Sequence, residues 1–228
     1  MISTCYVCGG LEFGYVEVLW DDLVREWQLS RHEADYINRQ QGLYCKSCGN
    51  NLRSIALARA ILYSYGFKGF LTQFVESEAA KRLRTLEINE AGTLTPLLSR
   101  LPLHRVAKYP SYDMTKLAFD TAAFDLVVHS DTLEHVKYPL AGLSECRRVL
   151  SEEGRCIFTV PIVVDRFTRS RDGLPESHHG SPSESADDYL VHTEFGADVW
   201  KYAVLSGFSF VAFHCAEFPA GLTIEARV

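Results

Sequence analysis

Two copies of one short motif constrain this chain more than anything else in it. Cys5-Tyr6-Val7-Cys8-Gly9-Gly10 and Cys45-Lys46-Ser47-Cys48-Gly49-Asn50 each contain a Cys-x-x-Cys-Gly knuckle. A two-residue gap lets both thiolates face one ion, and the glycine after the second cysteine permits the tight turn beneath it. Two knuckles supply four thiolates, the closed tetrahedral shell of a structural zinc site. A catalytic zinc keeps an open position and usually recruits histidine or carboxylate, and neither knuckle contains one. Cys5, Cys8, Cys45 and Cys48 are therefore the expected ligands of a structural Zn2+. The segment between them must fold back on itself to bring the knuckles together; it carries Val16-Glu17-Val18-Leu19-Trp20 and an expected helix over 21–28. His32 in the same segment reads as a surface or turn residue. The chain has seven cysteines. Cys146, Cys156 and Cys215 lie in apolar contexts and read as core thiols.

The start, Met1-Ile2-Ser3-Thr4, lacks the basic residues and apolar run of a secretion signal, so reduced thiols and a cytoplasmic location are expected. No stretch approaches the 18 or so apolar residues of a spanning helix, and no membrane contact is expected. Of 228 residues, 47% are hydrophobic, which is ample for a buried core, and 23 basic against 29 acidic side chains leave a charge of −6. That balance argues against a nucleic-acid partner.

Beyond the second knuckle, helical and strand patterns alternate. Asn50/Asn51 can cap a helix over 52–65, and a second amphipathic segment spans 70–83. Apolar runs at 83–88, 105–109, 124–129 and 155–161 read as strands, with helices expected over 94–101 and 138–150. The stretch 165–188 is rich in Ser, Pro, Gly, Asp and His and lacks periodicity, as functional loops do. A helix over 194–205 and closing strands at 208–215 and 222–228 complete the pattern. Phe208, Phe210 and Phe213 read as core or a strand face. The alternation specifies an α/β fold, a doubly wound, mostly parallel Rossmann-like sheet over 52–228, with a small zinc-binding module over 1–51.

In such sheets ligands bind beyond the carboxyl ends of the strands. Those ends carry three groups: Glu87-Ile88-Asn89-Glu90-Ala91-Gly92-Thr93; Tyr112-Asp113-Met114; and His129-Ser130-Asp131-Thr132-Leu133-Glu134-His135. An acid followed by a small-residue turn and a helix start can hold an amino or ribose group.

At these residues the sequence resembles the class I S-adenosylmethionine-dependent methyltransferases. Asp113-x-x-x-Leu117-x-Phe119-x-x-x-x-Phe124-Asp125-Leu126-Val127-Val128 is similar to that family's stretch from its third strand's acid into its fourth strand. Ser130–Val136 is similar to the segment that follows, and Glu145-x-x-Arg148-Val149-Leu150-x-x-x-Gly154-Arg155 to the junction before the fifth strand. The resemblance runs from about residue 83 to 210. It implies S-adenosyl-L-methionine as cofactor, Glu87 under its methionine end with Asn89 and Gly92 in the adjoining turn, Asp113 on the adenine amino group and Met114 on the ring. Ser130 and Asp131 would lie near the sulfonium. Pro175–Pro182 and Glu194-Phe195-Gly196 look like a subgroup with a histidine–glycine loop, tied to sugar or surface-glycan modification. His178, His179 and His135 are the candidate bases, with His192 a weaker one, because imidazole titrates near neutrality.

The expected activity is methyl transfer to an oxygen or nitrogen of a small-molecule or glycan acceptor. Two departures keep alternatives open. The family pattern acid-x-Gly-x-Gly-x-Gly is reduced here to Gly92, and no acid after the second strand stands ready for the ribose hydroxyls. A non-catalytic partner or scaffold of the same fold is one alternative; in either case the zinc module could form part of the substrate wall or mediate dimerisation into an oligomer. The other is a zinc-module RNA methyltransferase, suggested by basic residues after the second knuckle (Arg53, Arg59, Lys68, Lys81, Arg82, Arg84) and opposed by the acidic balance of the module itself.

Overall fold

In the computed structural model, residues 1–178 and 189–228 are described. The knuckles open the chain and are near copies of one another. Gly9 and Gly49 donate to the carbonyls of Cys5 and Cys45, each at 2.8 Å, while Cys5 and Cys45 donate to Gly10 and Asn50, each at 2.9 Å. Gly9 and Gly49 have φ of +83° and +74°, the left-handed region that a side chain disfavours. Strand β1 (Phe13–Tyr15) pairs antiparallel with β2 (Leu43–Cys45), which brings the two knuckles side by side. Between them lie α1 (Asp21–Glu26) and α2 (Arg31–Gly42). The sequence expectation covers α1 and misses α2, a largely polar helix whose start is marked by Ser30 and Glu33. Each of these side chains bonds the other's backbone N–H, a reciprocal cap.

Helix α3 (Leu52–Ser64) follows, capped by Asn51, whose side chain accepts from Ser54 N at 3.0 Å. The long helix expected over 70–83 is absent. In its place are the single turn α4 (Leu71–Phe74) and a 3-10 turn at Ala80–Arg82. Ser77 Oγ accepts from Ala80 N and starts the second turn afresh. Next come β3 (Thr85–Ile88), α5 (Thr95–Leu98), β4 (His104–Ala107), β5 (Phe124–Ser130), α6 (Pro139–Val149) and β6 (Leu150–Thr159). Three short strands, β7 (Ile162–Val163), β8 (Arg169–Ser170) and β9 (Thr193–Gly196), form a separate sheet. The helix expected over 194–205 begins only at α7 (Trp200–Leu205), because β7 and β8 take residues 193–196 as strand β9 between them. Finally β10 (Phe210–Glu217) and β11 (Gly221–Arg227) close the main sheet.

The main sheet has the order β10-β11-β6-β5-β3-β4. β6, β5, β3 and β4 run parallel, while β11 pairs antiparallel with β6 and β10 antiparallel with β11. Alternate residues of β5 explain why its sequence is nearly all apolar. Leu126 and Val128 join Ile55, Ala58 and Ile61 of α3 in one core, while Val127 joins Leu143, Cys146 and Val149 of α6 in another. Both faces are covered, as a buried parallel strand requires. Cys146 and Cys156 are core thiols, but Cys215 is exposed on the edge strand β10, contrary to expectation. No strand lies between β4 and β5, so Asp113 sits in a loop and not at a strand end.

The knuckles do not form a detached unit. Cys5, Val7 and Cys45 belong to the same apolar cluster as α3, Leu126 and Ile157. The α1–α2 segment lies against the chain after β6: Trp27 Nε1 donates to Ser177 Oγ at 2.8 Å, Val164 N to the Tyr36 hydroxyl at 3.1 Å, and Arg166 pairs with Glu33 at 2.6 Å.

Candidate active site

Strand order reverses between β3, with β4 outside it, and β5. That switch point leaves a crevice beyond the strands' carboxyl ends, and a cavity of about 690 Å³ lies there. Ile88 and Asn89 after β3, Lys108 after β4, and Ser130 and Asp131 after β5 form its strand side. Tyr112, Asp113, Met114 and Thr115 of the connecting loop line it, as do His135 to Tyr138 and, from the chain before β9, Tyr189, Leu190 and His192.

Of the expected cofactor residues, Asn89, Asp113, Met114, Ser130 and Asp131 are brought together around this cavity, while Glu87 and Gly92 are not on its wall. Glu87 is fully buried and its carboxylate is engaged within the protein. It accepts from Ala91 N at 2.7 Å and Thr95 Oγ1 at 2.6 Å, and faces His104 Nε2 at 2.7 Å. Burial pushes its pKa up, and the His104, Ala91 and Thr95 contacts more than reverse this, holding it below the ordinary carboxylate value. Glu87 therefore shapes the turn after β3 from beneath. Asn89 has φ +57° and accepts from Tyr109 N at 3.0 Å, tying that turn to the loop after β4.

Asp113 Oδ1 accepts from Thr115 N at 2.8 Å and Thr115 Oγ1 at 2.7 Å. Met114 is buried against Gly142 of α6, and the adjacent Tyr112 stacks on Phe119 with centroids 5.3 Å apart. Ser130 Oγ lies 2.8 Å from Thr159 Oγ1. Asp131, at φ +45°, accepts from Gln41 Nε2 at 2.9 Å and is ion-paired to Arg53.

Of the two described candidate bases, His135 and His178, it is His135 that lines the cavity. Its Nδ1 is 3.1 Å from the Leu190 carbonyl, which can only accept. Nδ1 donates to that carbonyl, and Nε2 lies 3.7 Å from Glu134 Oε1. Burial holds its pKa below the ordinary histidine value, so the imidazole is neutral at neutral pH. His178 is bridged to Leu190 through its backbone and is not on the cavity wall. His179 lies outside the described residues. His192 lines the cavity, its pKa lowered by burial and then by Lys137. Beside His135, Glu134 is buried, and burial raises its carboxyl well above the ordinary carboxylate value despite Arg53 nearby.

Glu90, Lys108 and Lys137 also line the cavity, and none of them is among the candidate site residues read from the sequence. Glu90 Oε1 and Lys108 Nζ are 2.5 Å apart on the cavity's edge. Glu90 was visible in the turn after β3, whereas the parallel β3–β4 pairing that puts Lys108 next to it is not a local signal.

The four knuckle sulfurs form a second constellation, all within 4.8 Å of one another. Cys5 to Cys48 and Cys8 to Cys45 are each 3.7 Å. A tetrahedral zinc with sulfur at about 2.3 Å requires sulfur–sulfur separations of about 3.8 Å. Gly10 N and Asn50 Nδ2 lie 3.4 Å from Cys8 Sγ and Cys48 Sγ and donate to them, as partners of metal-bound thiolates do. The residues present fit the metal. Among the described residues no helix is long and apolar enough to cross a membrane.

Residues 67–158, from the end of α3 to the end of β6, match the family model described as a methyltransferase domain. No curated protein matches the chain. Similar solved structures include the trans-methyltransferase CalH in complex with SAH, at 15% identity and a TM-score of 0.45, over 78% of this chain and 62% of that one. The CMeT domain of the citrinin polyketide synthase aligns at 12% identity and a TM-score of 0.48, over 91% of this chain and 59% of that one. An S-adenosylmethionine-dependent methyltransferase from Mesorhizobium loti aligns at 14% and 0.40, over 67% of this chain and 94% of that one. The chain thus spans under two thirds of the length of the first two. The family match covers the parallel strands that build the cavity, a likeness to a methyltransferase domain over that part of the chain, and the four-cysteine cluster lies N-terminal to it.

Proposed function

We propose that this protein transfers a methyl group from S-adenosyl-L-methionine to an oxygen or nitrogen of a small-molecule or sugar acceptor. The observation that carries the reading is the switch-point cavity, which gathers Asp113 and Met114 with His135 in one concave space. Its volume suits a ligand of the cofactor's size with room for part of an acceptor. S-adenosylmethionine supplies an electrophilic methyl group on a positively charged sulfur. The chain's own contribution is alignment and the handling of one proton. Asp113 accepts from the adenine amino group and Met114 packs on the ring. Asp131, held by Gln41 and Arg53, keeps negative charge near the sulfonium. His135 Nε2, kept neutral by burial, takes the proton from an acceptor hydroxyl as its oxygen attacks. Tyr138 and Tyr189 offer aromatic faces of the kind that stack against sugar rings.

Cys5, Cys8, Cys45 and Cys48 hold a structural Zn2+ that closes the N-terminal module, and a reducing compartment such as the cytoplasm keeps those thiols available. Calorimetric titration with S-adenosylhomocysteine tests the reading. Binding to the wild-type chain, weakened about tenfold or more in Asp113→Ala, is expected. Absence of heat at high protein concentration, with the chain folded and zinc-loaded, overturns it.

A further inference from the structure

The turn after β3, Asn89-Glu90-Ala91-Gly92-Thr93, has one glycine, yet it holds a defined shape. What holds it is the second knuckle. Asn50, immediately beyond that knuckle and buried, donates from Nδ2 to Cys48 Sγ at 3.4 Å. Its Oδ1 accepts from Thr93 Oγ1 at 2.7 Å. Thr93 Oγ1 also meets Ser54 Oγ of α3 at 3.1 Å, and Thr93 N donates to the same hydroxyl at 3.3 Å. Gly92 sits so close that a Cβ there would stand 2.7 Å from Ser54 Oγ. From the other flank, Glu87 ties Ala91 N and Thr95 Oγ1. The turn is thus clamped between a strand-end acid and a metal knuckle.

The knuckle region reaches the opposite wall of the cavity as well. Asn51 donates to Gln41 Oε1 at 3.4 Å, Gln41 donates to Asp131 at 2.9 Å, and Arg53 pairs with the same carboxylate. Both walls of the cleft, the turn after β3 and the segment after β5, therefore carry side-chain links to the 41–54 stretch.

We propose that the zinc knuckle is a brace for the cofactor site, with Asn50, Ser54 and Thr93 as positioning residues that hold this turn by side-chain hydrogen bonds. This rests on the cofactor reading above. A turn with several glycines owes its shape to backbone freedom and close ligand approach. A turn with one glycine has fewer alternatives to lose but needs its remaining polar groups matched, and Asn50 does this while its amide nitrogen is engaged by a metal ligand. The brace predicts coupling between the module and cofactor affinity without any contact of the module's sulfurs with the ligand.

Thr93→Val keeps the side-chain shape and removes the hydroxyl that Asn50 and Ser54 share. In the full-length, zinc-loaded protein it is expected to raise the dissociation constant for S-adenosylhomocysteine about tenfold. Bound zinc should stay at one per chain, and Thr93→Ser should remain within about twofold of wild type. Asn50→Ala should have a similar effect, and the double variant should be no weaker than about twofold beyond either single one, because both remove the shared Asn50–Thr93 bond on which the brace depends. Amide exchange across residues 89–95 in the ligand-free protein should speed up in both variants and stay unchanged in β6. Unchanged affinity and unchanged exchange in Thr93→Val overturn the brace, as does a double variant whose loss is the product of the two. If Thr93→Val does not fold, Asn50→Ala tests the same bond from the knuckle side. Should the wild-type chain bind no S-adenosylhomocysteine, the methyltransferase reading fails while the exchange measurement still decides the brace.

Discussion

His135 shows how two neighbours set the chemistry of one side chain. The Leu190 carbonyl fixes the proton on Nδ1, and burial disfavours a second one. Because the folded pKa lies below the ordinary histidine value of 6.5, the base stays unprotonated into mildly acidic solution. The acid limb of kcat in a methyl-transfer assay should therefore lie below pH 6.5, and a limb above it would contradict this role. His135→Gln should lower kcat about 100-fold or more while the KM for the cofactor changes little. Residue identity was partly legible. Asp113, Met114, Ser130, Asp131 and His135 could be picked from the sequence, and all line the cavity. Glu87 could be picked too, but not the direction it faces, because its partner His104 comes from the neighbouring strand. The placement of His178 was not legible either: its backbone pairs with Leu190, and its side chain is not among those lining the cavity.

At the scale of elements, helix α3 is the hinge of the architecture, since it lies under the sheet and beside both knuckles. Ile55, Ala58, Ile61 and Leu62 are fully or almost fully buried there. Ile61→Ala removes a side chain packed in the cluster shared with Leu126 and Val128 and should cost about 2–5 kcal/mol. For a chain of this size that lowers the melting temperature by roughly 5–15 °C, measurable by circular dichroism. A loss under about 1 °C would show that α3 does not carry the core. Helices and strands with long apolar patterns, such as α3, β5 and α6, were legible because their periodicity is local. The false helix over 70–83 and the missed strand β9 come from the same cause. A weak local pattern yields to whichever tertiary partner is available, here β7 and β8 for residues 193–196. The polar helix α2 escaped because its apolar stripe is thin, although its Ser30–Glu33 cap was written in the chain.

For the whole molecule, the module and the sheet share one apolar cluster, so they should unfold together. Removing the metal with a chelator, or substituting Cys45→Ser, is expected to lower a single cooperative transition by roughly 10 °C or more in calorimetry. Two separated transitions, with only the smaller one moved, would mean that the module folds on its own. The sequence by itself determined the four-cysteine cluster, the doubly wound α/β class and most of the polar residues at the cleft, because Cys-x-x-Cys spacing, apolar periodicity and strand-end position are all short-range properties. Only the tertiary structure decided that Glu87 turns inward, that Lys108 meets Glu90, and that Asn50, just beyond the second knuckle, bonds Thr93 of the turn after β3. Those pairs lie 17 to 43 residues apart or belong to different strands, and their meeting depends on strand order and on how α3 packs, which no local pattern encodes.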